Sequence, residues 1–176
     1  MPVLLALVAA AAGILVWIYR ARAAAEVAHE LADVAADVMA AARRFGFARR
    51  RNLHPVESVE RVDVAVGGLA LAFLELDGLP DAGQKRAAQE AMAAKFDLLG
   101  KDAEEIMILG HWLVTQCNGP QMAIERLSKR LFQIGATASL APLMEVLSAI
   151  GQAGGGTLSP RQKDALADIA RHMRVR

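Results

Sequence analysis

Val64-Ala65-Val66-Gly67-Gly68-Leu69-Ala70-Leu71-Ala72-Phe73-Leu74 is apolar on every side. As a helix this stretch reaches roughly 16 Å, about half the hydrocarbon thickness of a bilayer, so it is too short to be a membrane span. A helix without a polar face has to be covered by protein all round, which makes it the central element of a helical core. The seam Val59, Val62, Val66, Leu69, Phe73 and Leu76 recurs at three- and four-residue steps around it. Proline is favoured at a first helical position, so the spacing predicts a helix starting near Pro55.

Downstream the same reading continues. Asp77-Gly78 ends the central helix, glycine supplying the left-handed residue common after a helix C-terminus. Asp81 is placed to cap the next helix, with Gln84 completing a capping box, and that helix runs to about Leu99 and stops at Gly100. Another spans about Asp102 to Cys117, ahead of the turn signal Asn118-Gly119-Pro120. Ile124, Leu127, Leu131 and Ile134 mark an amphipathic helix broken around Gly135. Leu140, Leu143, Leu147 and Ile150 mark the next, with Pro142 in its first turn. Gly154 to Gly156 form a corner, and Ser159-Pro160 starts a last helix with Leu166, Ile169 and Met173 on its core face. No segment alternates as a strand does. The class is all-α, a compact bundle of about six to seven helices.

Upstream, residues 2 to 18 read PVLLALVAAAAGILVWI, with no charge, followed by Tyr19, Arg20 and Arg22. This is the length of a short membrane span, and Trp17 and Tyr19 before arginines suit a membrane interface. The rival is a secretory signal cleaved near Ala21-Arg22-Ala23, but a signal carries its positive charge ahead of the apolar stretch and here the arginines follow it. The expectation is a single-pass anchor over residues 1–19 in the inner (cytoplasmic) membrane, with the C-terminal domain cytoplasmic by the positive-inside rule.

Residues 20–53 read as an amphipathic stalk and basic juxtamembrane segment, and residues 54–176 as the helical domain. In the stalk Val27, Leu31, Val34, Val38, Ala41 and Phe45 form a seam that either pairs with a second copy in a homodimer or folds back onto its own domain. Arg43, Arg44, Arg49, Arg50 and Arg51 follow, interleaved with Phe45 and Phe47. Such a segment contacts anionic lipid head groups or a protein partner; alternatively its arginines pair with nearby carboxylates.

Composition narrows the function. The 176 residues carry 20 Lys plus Arg against 19 Asp plus Glu, a net charge of +1, without the cation surplus that nucleic-acid binding needs. Cys117 is the one cysteine, so no intramolecular disulfide forms. None of His29, His54, His111 and His172 stands three or four residues from another histidine or from Cys117, and no phosphate loop follows a strand. His111 and Cys117 are six apart on one helix and do not face each other. Asp102, Glu104 and Glu105 sit at a helix N-terminus, where the dipole favours them without a catalytic role. The expectation is a protein that is not an enzyme.

One internal echo stands out. Asp77-Gly78-Leu79-Pro80-Asp81-Ala82-Gly83-Gln84-Lys85 lines up with Gly155-Gly156-Thr157-Leu158-Ser159-Pro160-Arg161-Gln162-Lys163: a helix end, a glycine, two linking residues, a cap, and a glutamine at the third position of the new helix. In an all-helical chain this layout resembles the TerB-like family of tellurite-resistance domains, and more loosely the membrane-anchored N-terminal region of DjlA-type co-chaperones. The resemblance covers about residues 55 to 175 and implies two pseudo-repeated halves. It also implies a divalent cation held between the halves by the Asp and Glu of each motif. Here the Glu positions are Gln84 and Gln162 and the second Asp is Gly155, leaving Asp77 alone of the four acids. One formal charge makes a poor cage for a hard cation. The resemblance therefore implies a degenerate member that has lost its metal at Asp77, Gln84 and Gln162 and has no cofactor. A J-domain role is set aside because the only His-Pro, His54-Pro55, is followed by Val56 rather than Asp. The expected function is a membrane-anchored scaffold or adaptor that contacts lipid and a membrane-associated protein. The alternative is a metal- or oxyanion-responsive stress domain in which Asp77 and Gln84 still bind an ion.

Overall fold

In a computed structural model of the chain, residues 36–45 and 53–173 are described. The anchor over 1–19, with Trp17, Tyr19, Arg20 and Arg22, lies outside them, as do Arg49, Arg50 and Arg51. Every regular element among the described residues is helical. They are α1 (36–44), α2 (Val62–Glu75), α3 (Ala82–Phe96), α4 (Gly100–Gln116), α5 (Pro120–Gly135), α6 (Leu140–Ala153) and α7 (Pro160–His172), with short 3-10 turns at Pro55–Ser58 and Ala136–Ser139.

The apolar segment is the centre of the fold, as its composition requires. Asp63 to Leu74 are all buried, and α2 packs against α3, α4, α5 and α6. Its closest neighbour is α4, and the two glycines explain how. A Cβ on Gly110 would lie 3.1 Å from the Gly67 carbonyl oxygen and 3.1 Å from Gly68 Cα, so the two backbones touch where three glycines meet. A Cβ on Gly68 would lie 2.9 Å from Leu127 Cδ1 of α5. Small residues here let α4 and α5 close on the central helix and exclude voids.

The helix expected from Pro55 is divided. His54 caps a 3-10 turn over Pro55–Ser58, accepting from Val56 N–H at Nδ1 while Nε2 meets the Gln116 carbonyl at 3.1 Å. Val59 and Arg61 are then extended, and α2 begins only at Val62. This break buries Val56 and Val59 in the core. The helix expected to run to Leu99 ends at Phe96, because Asp97 itself takes the left-handed conformation (φ 52°) and Leu98 N–H closes on the Ala93 carbonyl at 2.9 Å. Aspartate tolerates that region better than most side chains, so no glycine was needed. Gly100 instead opens α4.

The turns at Gly78 (φ 123°) and Gly119 (φ 120°) fall where the sequence placed them. Taken together, Pro120–Ala153 is long and apolar enough, by length and composition, to cross a membrane. The chain breaks inside it at Ala136 (φ 48°), and the apolar sides of α5 and α6 both face the core.

The described end of the stalk seam is occupied. From Val38 onward the described residues form one compact unit, and Val38, Ala41, Ala42 and Phe45 belong to its core. Of the two readings of the seam, folding back onto its own domain holds for these residues.

Candidate functional site

The exposed face of α5 borders two surface grooves. Gly119 and Pro120 start the helix, and Ala123, Ile124, Leu127, Ser128 and Leu131 are buried along one side, Ser128 Oγ donating to the Ile124 carbonyl at 2.6 Å. Helical geometry then turns Met122, Arg126, Lys129 and Gln133 outward at four- and three-residue steps, all four exposed. Met122 keeps 46% of its surface in solvent.

Two grooves meet along this stripe and share Lys129 and Gln133. One, of about 350 Å³, runs between the Pro55–Ser58 turn and α5, floored by Val56 and edged by Met122, Arg126 and Arg130. The other, of about 510 Å³, lies toward α7 and is lined by Phe132, Arg171 and His172. Arg130 is fixed: its Nε donates to the Val59 carbonyl at 2.6 Å and its Nη1 to Gln133 at 3.2 Å. Lys129 Nζ donates to Glu125 Oε1 at 2.5 Å, and that bond holds the Glu125 carboxyl below its usual range. Arg171 pairs with Asp168 at 2.8 Å. Arg126 makes no hydrogen bond or ion pair among the described residues, and it reaches solvent beside Met122. The grooves together present Arg126, Lys129, Arg130 and Arg171 against Glu57 and Glu125.

Sequence reasoning found the buried side of this helix and passed over the exposed one. The signal was present in Arg126, Lys129 and Arg130 opposite Ile124, Leu127 and Leu131. The part contributed by Val56 and Arg171, more than forty positions away on either side, is brought there only by folding.

The residues of the two echoed turns are placed as follows. Asp81 and Ser159 each accept from the backbone N–H of the glutamine three residues on, at 2.8 and 3.1 Å, and Gln84 and Gln162 each return a bond from Oε1 to the cap N–H at 3.1 Å. The two copies are thus the same capping box. They also touch each other's halves. A Cβ on Gly154 would meet Gln84 Nε2 at 3.3 Å, and Arg161 Nη1 donates to the Leu76 carbonyl at 3.0 Å. The glutamine oxygens that would face a cation are occupied by backbone donors. Asp77 is exposed, and among the described residues no three His, Cys, Asp or Glu side chains cluster to hold a metal ion.

Of the basic residues at 43–51, Arg43 is exposed and Arg44 ties two parts of the unit together. Arg44 pairs with Asp102 and, at 3.0 Å, with Glu105 at the start of α4. Beside it the Arg61 guanidinium stands 4.9 Å from the Phe45 ring centroid and is paired with Asp63, which raises its pKa. Asp102 and Glu105 therefore hold α1 to α4. His111 Nδ1 lies 2.8 Å from Glu75 Oε1 and is exposed, while Cys117 is buried, which pushes its thiol pKa up. The two are not a nucleophile and base.

No protein family, no curated protein and no solved structure matches this chain.

Proposed function

We propose that the chain is a membrane-anchored helical interaction module, a scaffold or adaptor that performs no chemistry. Residues 1–19 anchor it in the inner membrane, and the helical unit lies in the cytoplasm, where it binds a membrane-associated protein. The observation that carries the reading is the α5 surface, where an exposed methionine, and an arginine with no partner among the described residues, line a groove on a folded scaffold. Arginine and methionine are enriched at the centres of protein interfaces. The apolar run from Pro2 to Ile18 supports the anchor.

In-cell crosslinking with mass spectrometry tests the reading, on the tagged full chain beside a version starting at Ala23. A stoichiometric membrane partner captured only by the full chain is expected. Recovery of the full chain in the soluble fraction, or of self-crosslinks alone, overturns it. Digestion of the helical unit from the periplasmic side overturns the orientation.

The same reading takes the unit as a degenerate TerB-like domain whose cation ligands are gone. Its support is the matched pair of capping boxes and the engagement of both glutamine oxygens with backbone donors. Excess calcium, magnesium or zinc is expected to leave the melting temperature unchanged. A clear rise favours the cation- or oxyanion-responsive alternative, because a ligand confined to the folded state must stabilise it.

A further inference from the structure

We infer that the exposed face of α5 docks an acidic amphipathic helix of a protein partner, and that Arg126 selects it by charge. The inference rests on the interaction-module reading and deepens it by naming the chemistry of the partner.

Three observations converge. First, Met122, Arg126, Lys129 and Gln133 form a straight stripe at four- and three-residue steps, the repeat with which one helix reads another. Second, the stripe is not a flat face: Met122 and Arg126 line one concavity, and Lys129 and Gln133 stand between that one and another. A helix laid along the stripe places its own side chains into a groove of about 350 Å³ or one of about 510 Å³. A bilayer surface is broad and level and fills neither. Third, the charge is unequal. Of the four cations that line the grooves, Lys129 is paired with Glu125, Arg171 with Asp168, and Arg130 is held by the Val59 carbonyl, which leaves Arg126 as the cation without a partner among the described residues. Among the described residues Arg126 has its full set of donors unspent, in the fork geometry that takes a carboxylate in two parallel bonds.

The apolar part of the contact is Met122, 46% exposed, with Phe132 lining the second groove. Methionine adapts to irregular apolar side chains, so it suits leucines on the visiting helix. Together these features ask for a helix with carboxylates on one edge and aliphatic side chains on the next, spaced at three and four residues. The acidic edge supplies specificity and steering, since opposite charge speeds encounter and like charge rejects wrong partners.

The test uses the full chain in a zwitterionic detergent and a fluorescein-labelled, lactam-stapled peptide. One face of the peptide alternates glutamate and leucine at three- and four-residue steps, and binding is read by anisotropy. Saturable binding that weakens with added salt is expected. The glutamine-for-glutamate version of the peptide, and the variant Arg126→Glu/Lys129→Glu, should each lower affinity roughly tenfold or more. The double variant should bind a lysine-for-glutamate peptide better than the parent does. Arg86→Glu, an exposed charge reversal on α3, should leave binding unchanged. Circular dichroism should be the same for all variants, because these side chains are on the surface.

Absence of saturable binding, or equal binding by the double variant, overturns the inference. So does binding to phosphatidylserine vesicles through Arg126 and Lys129 without binding to the peptide, which would make the face lipid-directed. None of these results bears on anchoring, which membrane fractionation reports independently. Crosslinking of the full chain tests the module reading separately: a stoichiometric partner captured at another surface leaves that reading standing while this inference fails.

Discussion

Gly110→Ala and Gly100→Ala place the same methyl group on the same helix and should move stability in opposite directions. At Gly110 the new carbon would stand 3.1 Å from the Gly67 carbonyl oxygen, 3.1 Å from Gly68 Cα and 3.2 Å from the Gly67 carbonyl carbon. Ordinary contact between such atoms is about 3.5–4.0 Å. Every atom it meets is backbone, so no rotamer relieves the overlap, and α4 has to move off α2 by roughly half an ångström. That shift also loosens the buried side chains flanking the crossing, Ile106, Leu109 and Leu113. Overpacking of this kind costs about 1–3 kcal/mol, and alanine's better helix propensity returns about 0.5–1 kcal/mol. The net expectation is a loss of up to about 2.5 kcal/mol. At Gly100 nothing lies within 4 Å, the position is the first of α4, and alanine should gain about 0.4–1 kcal/mol by restricting the unfolded chain. Urea unfolding of the full chain followed by helical circular dichroism measures both. Gly110→Ala at or above the parent's stability would refute the account of a glycine-mediated α2–α4 contact.

Removing either cap, Asp81→Ala or Ser159→Ala, should cost about 1 kcal/mol, and the double variant should show the sum, since the two boxes share no partner; unfolding midpoints check this. Arg44→Ala leaves Asp102 and Glu105 without their cation and should lower stability by about 1–2 kcal/mol after allowance for solvent at the arginine. It should also speed hydrogen exchange in residues 38–45, which exchange measured by mass spectrometry would show. Cys117 should react with iodoacetamide far more slowly in the folded chain than in urea, because burial holds the thiol protonated and covered. Its folded pKa lies above the ordinary 9.0, so the unfolded thiol ionises first and stability should decline as pH climbs past that value.

The all-α class, the buried central helix and most turns were legible in the chain because each rests on local physics. An apolar run has to be covered. A glycine accepts positive φ, and a capping box needs only four consecutive residues, which is why Asp81-Gln84 and Ser159-Gln162 were readable as caps. The two misplaced boundaries fail for a stated reason in each case. Asp97 took the left-handed position that a glycine was expected to fill. Pro55 began a helix that tertiary contact cut short, because extending Val59 to Arg61 buries Val56 and Val59 and gives Arg130 a carbonyl to hold.

Arg44 shows where local reading stops. Its neighbours Arg43 and Arg49 made it one of a basic run, yet Asp102 and Glu105, nearly sixty positions away, took it as an ion-pair partner. The α5 surface has the same character. Sequence by itself determined that Arg126 and Lys129 lie on the outer side of an amphipathic helix, because helical periodicity is a property of consecutive residues. Only the tertiary structure decided that Arg126 lines one groove and Lys129 two, because Val56 and Arg171 reach that surface through the packing of elements distant in the chain.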